Sequence, residues 1–316
     1  MKGERVLTDS TLIAANASLD SLQANEPALA KQEKMVQQDS KIGIKLQTRK
    51  VTNKTHTSLT DPDATLAFKA GTPGGLKYKI HLSVDADSRV ILAIQATTGA
   101  CHNLQPYLKQ LNTIEERYQL TIKETTADRA YGSAEIIDAL LNKGIHPYIP
   151  FFSTRSGSFV PKETEGIIFE SEHNRYRCQK GHYLHPHNKG YKGVFTYISR
   201  SKDCKNCTLK QQCNARPKKN HSACYVIRNI HQALYEKMKK EMTTHTFINR
   251  LIERMHKAEG LIYESKHRHG LKRAKYRGLL KMQIQALMVA SVQNSKRIVK
   301  FLLFIFYCEN MLFSHR

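Results

Sequence analysis

Residues 76–98, LKYKIHLSVDADSRVILAIQATT, constrain the fold of this chain more than any other stretch. Leu76, Tyr78, Ile80, Leu82 and Val84 alternate with other residues, which is the period of a strand with one apolar face. A DADS turn and the mostly apolar run VILAIQA follow, so the two arms predict a hairpin. Downstream, Leu104, Tyr107, Leu108 and Leu111 share one helical face over residues 104–115. A strand is expected at about 118–127, leading to Asp128, then a helix at 133–143 and a short strand in GIHPYIP at 144–150. With an opening strand at 5–8 (RVLT) that ends at Asp9, the order is β, β–β, α, β, α, β. That order implies an α/β fold.

The remaining segments are less regular. The Ala- and Gln-rich run after Asp9, residues 10–40, is expected to be helical or loosely ordered, and residues 60–75 read as a Pro- and Gly-rich loop. Residues 152–230 break the pattern with dense turn residues and five of the seven cysteines. A helical region then runs from about Asn229 to Tyr307, broken near Gly270 and Gly278. The expected division is a first core part at 1–151, a cysteine-rich insertion at 152–230, a helical part of the core at 231–300 and an atypical tail at 301–316.

Fifty Lys and Arg against 27 Asp and Glu give a net charge of +23, which suits a polyanionic partner such as nucleic acid. The N-terminal MKGERVLTDST has no signal-peptide core, and the apolar Ile298–Tyr307 is too short to span a bilayer and is interrupted by Lys300. A cytoplasmic protein without a membrane partner is expected. In that setting cysteines serve as thiols or metal ligands rather than as a disulfide framework.

Three carboxylates stand where chemistry could use them. Asp9 ends the first strand, Asp128 ends a later one, and Glu259 lies on a late helix with Lys266 two turns on, so that both can face the same way. Hard Mg²⁺ prefers oxygen ligands, and two such ions can stabilise the attacking and leaving oxygens of a phosphodiester displacement. Each acid also has a local reading, Asp9 and Asp128 as caps and Glu259 as a solvated helix residue. Asp61, Asp63 and Asp85 sit in turn sequences, where Asp serves local hydrogen bonds.

The segments VLTDSTLIAANAS, TADRAYGSAEIIDAL and RMHKAEGLIYESKHRHGLKRAKYRGLLKMQIQALMVASVQNSKR resemble the three signature regions of bacterial insertion-sequence transposases of the DDE type. The resemblance implies an RNase H-like core of mixed sheet flanked by helices, a fold with which the element order agrees. It implies that Asp9, Asp128 and Glu259 bind Mg²⁺ (or Mn²⁺), with Lys266 as their basic partner. It also implies double-stranded DNA, both transposon ends and target, as the substrate of metal-dependent cleavage and strand transfer. A homo-oligomer on DNA, associated with the bacterial nucleoid, follows as an expectation. Relatives carry a helical region before the first Asp, and their C-terminal ending is basic, unlike FLLFIFYCENMLFSHR. Both departures predict a truncated frame, with inactivity as one outcome. The alternatives are a zinc-stabilised, non-catalytic DNA-binding remnant and an RNase H-like nuclease.

Related transposases also carry a cysteine-containing insertion. Here Cys178, in the turn CQKGH, joins Cys204, Cys207 and Cys213 as a candidate closed, structural Zn²⁺ site, with His182, His221 or Cys224 able to replace one ligand. The competing reading is a set of free thiols, and Cys101 and Cys308 have no such company. Residues 266–281, KHRHGLKRAKYRGLLK, hold seven Lys or Arg and no acid. Arg268, Lys272, Arg273, Lys275 and Arg277 of this tract, together with Arg254 of the same signature, are expected to grip DNA phosphates. His267 and His269 are candidates for touching the scissile phosphate, and LLKMQIQALMVASVQ is expected to be helix core.

Overall fold

A computed structural model describes residues 3–25, 51–69, 71–151, 166–187, 193–217 and 221–313. The chain forms two compact units, Met1–Pro150 with His245–Arg316, and Phe151–Thr244.

The first unit is built on the expected hairpin. Its arms are β5 (Thr72–Asp85) and β6 (Ile91–Thr98), paired from Tyr78↔Thr98 to Val84↔Ile91. The preceding segment does not stay a loop: β4 (Thr65–Lys69) pairs with the start of β5, which continues the ladder beyond the alternating residues. The opening strand is also longer than its sequence suggests. β1 runs Arg5–Ala14, so Asp9 lies in mid-strand rather than at an end. The cause is the length of β5, which offers an antiparallel partner to every residue from Val6 to Ala14 and holds the polar DST in the sheet. Residues after Asp9, expected to be helical or loosely ordered, instead complete β1, make one 3₁₀ turn at Leu19–Ser21 and form β2 (Leu22–Ala24), which pairs with β3 (His56–Ser58). Residues 26–50 lie outside the described residues.

On its other edge β1 pairs in parallel with β7 (Glu124–Thr126), and β7 with β8 (His146–Tyr148). Among the described residues the sheet order is β4-β5-β1-β7-β8, with β6 also on β5. Helix α1 (Leu104–Tyr118) and helix α2 (Ala134–Asn142) cover one face. There Val6 packs with Tyr107, Leu111, Ile114, Ile136 and Leu140. Ser133 caps α2 by accepting from the Ile136 N–H at 3.3 Å.

The opposite face carries Ile13, Tyr78 and Ile80 and is covered by α7 (Leu279–Phe313), through Met282, Ala286 and Val289. Burying a side chain such as Ile80 or Met282 contributes roughly 1.5–3 kcal/mol. Only one side of α7 is core: Leu280, Ile284, Met288 and Val292 are exposed. Two turn aspartates fasten its N-terminus. Asp63 Oδ2 accepts from the Leu279 N–H at 2.7 Å, and buried Asp61 Oδ1 accepts from Gly278 N–H at 3.2 Å and from the Tyr78 hydroxyl at 2.6 Å. Free N–H groups at a helix start favour such carboxylates. Among the described residues no helix is long and apolar enough to cross a membrane.

Before α7 the chain makes α5 (His245–Arg254), a π-helical turn (Met255–Glu259) and α6 (Gly260–Arg268), which follow one another directly. Gly270 and Gly278, at φ 70° and 93°, bracket the non-helical stretch before α7, because an L side chain is strained there.

The second unit is mainly β. Its strands are β9 (Ile168–Glu170), β10 (Arg175–Arg177), β11 (Tyr183–Pro186), β12 (Val194–Ser199), β13 (Arg216–Pro217) and β14 (Cys224–Asn229). They form one sheet in the order β13-β14-β12-β11-β10-β9, and a short α3 (Ser201–Lys205) follows β12. Ile167, Tyr176, Leu184, Tyr197 and Val226 make a core of their own, with the rings of Phe169, Tyr176 and Tyr197 packed on one another. A segment that read as weakly apolar therefore has a hydrophobic centre, supplied by aromatic residues spread over separate strands. The unit also extends past residue 230 to include α4 (Gln232–Met242).

Candidate active site

Sheet register brings the first two acids together. β1 and β7 run parallel with Leu7 opposite Thr126, and Asp9 and Asp128 each lie two residues further along. Asp128 leaves the strand as the cap of a 3₁₀ turn (Arg129–Tyr131), its Oδ1 accepting from Ala130 N–H at 2.9 Å. Its local capping role and its place beside Asp9 therefore coexist. Asp9 Oδ1 likewise accepts from the Ser10 N–H at 2.7 Å.

The third acid arrives from the helix. Leu7, on the same strand face as Asp9, packs against Ala86 and Ala258, and Ala258 lies in the π turn. Arg5 and Lys257 both pair with Glu253, which ties α5 to the start of β1. In a regular α-helix residues five apart point to different sides, because a turn takes 3.6 residues. The wider π turn, with its i→i+5 period, brings Arg254 and Glu259 onto one side. Arg254 Nη2 then donates to Glu259 Oε1 at 2.9 Å, while Nη1 stands 2.9 Å from Asp9 Oδ2. The Arg254 and Asp9 side chains are only 11% and 10% exposed.

The electrostatics follow from that burial. Burial pushes the Asp9 carboxyl up to about 6, with Asp128 and Glu259 adding to the rise and Arg254 opposing it. Asp128 is raised for the same first reason, again against Arg254. The Arg254 guanidinium therefore bridges Asp9 and Glu259, and Asp128 lies within its electrostatic reach. Among the described residues, no three His, Cys, Asp or Glu side chains form a group that could hold a metal ion as they stand. The donors have the hard oxygen chemistry that Mg²⁺ takes, but their charge is met by Arg254.

Lys266 sits beside this group. Its Nζ donates to the Leu12 carbonyl at 3.0 Å. Burial lowers its basicity, helped by Lys69, Lys77 and Lys272 and opposed by Asp9. Lys69 and Lys79 also lie within electrostatic reach of Asp128. Lys69, Lys77 and Lys79 had not been singled out from the sequence. The signal was the alternation in LKYKIH, which puts both lysines of β5 on the face opposite Tyr78. Tyr131 was missed too: its ring packs on Tyr107, and burial, with Asp9 and Asp128 nearby, holds its hydroxyl well above the ordinary range.

Asp61 and Asp63 serve α7, as above. Asp85 accepts from Gly3 N–H at 3.1 Å and Ser88 N–H at 2.8 Å, so it is a turn residue. In the basic tract Leu271 and Ala274 point inward, and Ala274 N–H donates to Ala14 carbonyl at 2.8 Å, so the stretch lies along the end of β1. Lys272, Arg273, Lys275 and Arg277 face solvent, as does Arg268. Arg254, expected on DNA, is largely buried and paired with Asp9 and Glu259. His267 stacks on Tyr263, and His269 is engaged by Glu264 at 3.3 Å, in a cluster with Lys296 and Arg297.

In the second unit, Gly181 N–H donates to the Cys178 carbonyl and Cys178 N–H to that of His182, both at 2.9 Å, which makes CQKGH a tight turn. Cys178, Cys204, Cys213 and Cys224 all border one apolar cluster, whereas Cys207 is not part of it. Ser199 Oγ is 3.1 Å from Cys204 Sγ and accepts from the Cys224 N–H at 2.9 Å. Burial, with Cys204 and Cys213 adjacent, pushes the Cys224 thiol up to about 12. His182 faces Asp203 rather than the thiols, at 3.9 Å.

Residues 177–299 match a family described as "Transposase DDE domain", which is less than half the chain. The matched region contains Glu259 and Lys266 but not Asp9 or Asp128. No curated protein matches. Among solved structures, the Mos1 transposase paired-end complex with the left transposon end is similar at 10% identity and a TM-score of 0.24, over 46% of this chain and 35% of that one. A piggyBac transposase synaptic complex with hairpin DNA is similar at 8% identity and a TM-score of 0.27, over 94% and 54%. This chain thus spans about a third and about half of those two chains, and at such TM-scores neither likeness bears on the fold.

Proposed function

We propose that this chain is the catalytic part of a DDE transposase, with Asp9, Asp128 and Glu259 as its acidic triad on an RNase H-like core. The observation that carries the reading is that one arginine pairs with two acids from distant segments, Asp9 and Glu259, while the half-buried Asp128 beside Asp9 is raised like it by burial. The strand order, three antiparallel strands β6-β5-β1 extended by the parallel pair β7-β8, supports the core assignment. The matched family region supports the reaction class.

In this reading Asp9, Asp128 and Glu259 would hold Mg²⁺ or Mn²⁺, and the bound ion would supply activation of the nucleophile and stabilisation of the leaving oxygen. The protein's own share is to bind and orient. Lys266, fixed on the Leu12 carbonyl, presents a positive group next to Asp9 where a scissile phosphate would lie. Lys69 and Lys79 present two more beside Asp128. Double-stranded DNA is the substrate, first at the element's ends and then at the target. The test is incubation of the chain with Mg²⁺ or Mn²⁺ and duplex DNA carrying the ends, scoring cleavage and joining. Cleavage without joining would make it a nuclease, and binding without either would leave a non-catalytic DNA-binding protein.

The tract from Lys272 to Arg277 would grip phosphates alongside. Replacing Lys272, Arg273, Lys275 and Arg277 with Ala removes up to four phosphate partners, each contributing roughly 0.9 to the slope of log affinity against log salt. The slope should shrink by about 3–4, equally on unrelated duplexes, because phosphate contacts carry no base information. An unchanged slope in the folded variant would mean that the tract only meets solvent.

Cys178, Cys204, Cys207 and Cys213 have the donor chemistry of a closed structural Zn²⁺ site, with Cys224, which shares an apolar cluster with Cys178, Cys204 and Cys213, as an alternative fourth ligand. About one zinc per chain is expected on metal analysis and lost in Cys204→Ser, with Cys207→Ser and Cys224→Ser compared to tell which of the two is the fourth ligand. A zinc-free protein, folded and indifferent to chelator, would rule the site out.

A further inference from the structure

We infer that Arg254 is an internal counter-cation whose guanidinium competes with a divalent ion for the oxygens of Asp9 and Glu259, so that metal loading requires it to leave. The inference rests on the acidic-triad reading above. It starts from the π turn. Without it, Arg254 and Glu259 would not share a side; with it, one guanidinium reaches Glu259 at 2.9 Å and Asp9 at 2.9 Å. π turns inside helices recur at functional sites because they re-aim side chains at a cost in helix regularity. Here the re-aimed residue is a cation directed at two acids, Asp9 and Glu259.

Charge balance gives the physical reason. Buried carboxylates repel one another, and bringing them together without a cation leaves charge uncompensated in a poorly solvated site. Arg254 meets that need at 11% exposure. The same carboxylate oxygens cannot be fully committed to a guanidinium and to a metal. Its buried Nε and Nη1 have no hydrogen-bond partner among the described residues, Nη1 meeting Asp9 Oδ2 at 2.9 Å as an ion pair. A DNA phosphate is a natural alternative partner, since guanidinium pairs with phosphate in two-pronged fashion. Arg254 therefore sets the threshold at which the ion enters.

The measurement is Mn²⁺ binding to the full chain without DNA, by titration calorimetry and by the electron paramagnetic resonance signal of free Mn²⁺, at pH 8. Wild type, Arg254→Gln, Arg254→Lys and Asp9→Asn are compared, with circular dichroism confirming that each is folded. Removing a positive charge a few ångströms from a divalent ion should tighten Mn²⁺ at least about tenfold in Arg254→Gln. Arg254→Lys, which keeps the charge but loses the fork, should fall between, and it stands in if the Gln variant does not fold. Equal or weaker Mn²⁺ binding in both Arg254 variants, with wild-type binding abolished by Asp9→Asn, would overturn the inference and leave the triad reading intact. Absence of Asp9-dependent Mn²⁺ binding in every form would remove the triad reading and this inference with it.

Discussion

Asp9→Asn, Asp128→Asn and Glu259→Gln are each expected to lower Mg²⁺-dependent DNA cleavage by at least about a hundredfold. Loss of an outer partner of a metal ligand already costs 10–100-fold, and these changes remove a ligating charge itself. Their effects should not add, because three ligands serving one function fail together. DNA affinity should stay near that of wild type, since the phosphate-facing tract is untouched. Asp20→Asn, an exposed acid next to Ser18, should change neither property. Asp9→Asn also has a signature in stability. Its carboxyl is raised to about 6, so ionised Asp9 costs the fold stability as pH rises toward neutrality. A neutral Asn removes that cost, and the inactive variant should melt no lower than wild type at neutral pH. A fully active Asp9→Asn protein would end the mechanism proposed for this site.

Acid should destabilise the first unit through His81. This ring is fully enclosed between the sheet and α1, with Nε2 3.0 Å from Thr97 Oγ1 and its backbone carbonyl accepting from Gln110. Burial, with Lys79 nearby, lowers its value from near 6.5 to about 3. The folded state therefore resists protonation that the unfolded chain accepts below about pH 6.5. The resulting stability is complete above that value and is lost progressively down to about pH 3. Between pH 6.5 and 4.5 the loss should approach about 2–3 kcal/mol, at 1.36 kcal/mol per pH unit for one proton. His81→Gln cannot titrate and should lack this component. Urea melts at pH 7 and 4.5 decide it, and equal losses in the two proteins would show that His81 is not the linked group.

The sequence on its own determined the hairpin of β5 and β6, helices α1 and α2, and the glycine breaks before α7, because each follows from a local period or a local conformational demand. It also singled out Asp9, Asp128 and Glu259, through their motifs. Tertiary structure decided the rest. The length of β1 depended on β5 as a partner, since DSTLIA has no strand pattern of its own until a long neighbour supplies hydrogen bonds. The core of the second unit depended on aromatic residues far apart in the chain meeting on one sheet. The role of Arg254 was the least legible: at normal helical spacing it points away from Glu259. Only a π turn, seated by Leu7 and Ala258, turns an expected DNA-facing arginine inward to the acids, because helix phase is set by packing against the sheet and not by spacing alone.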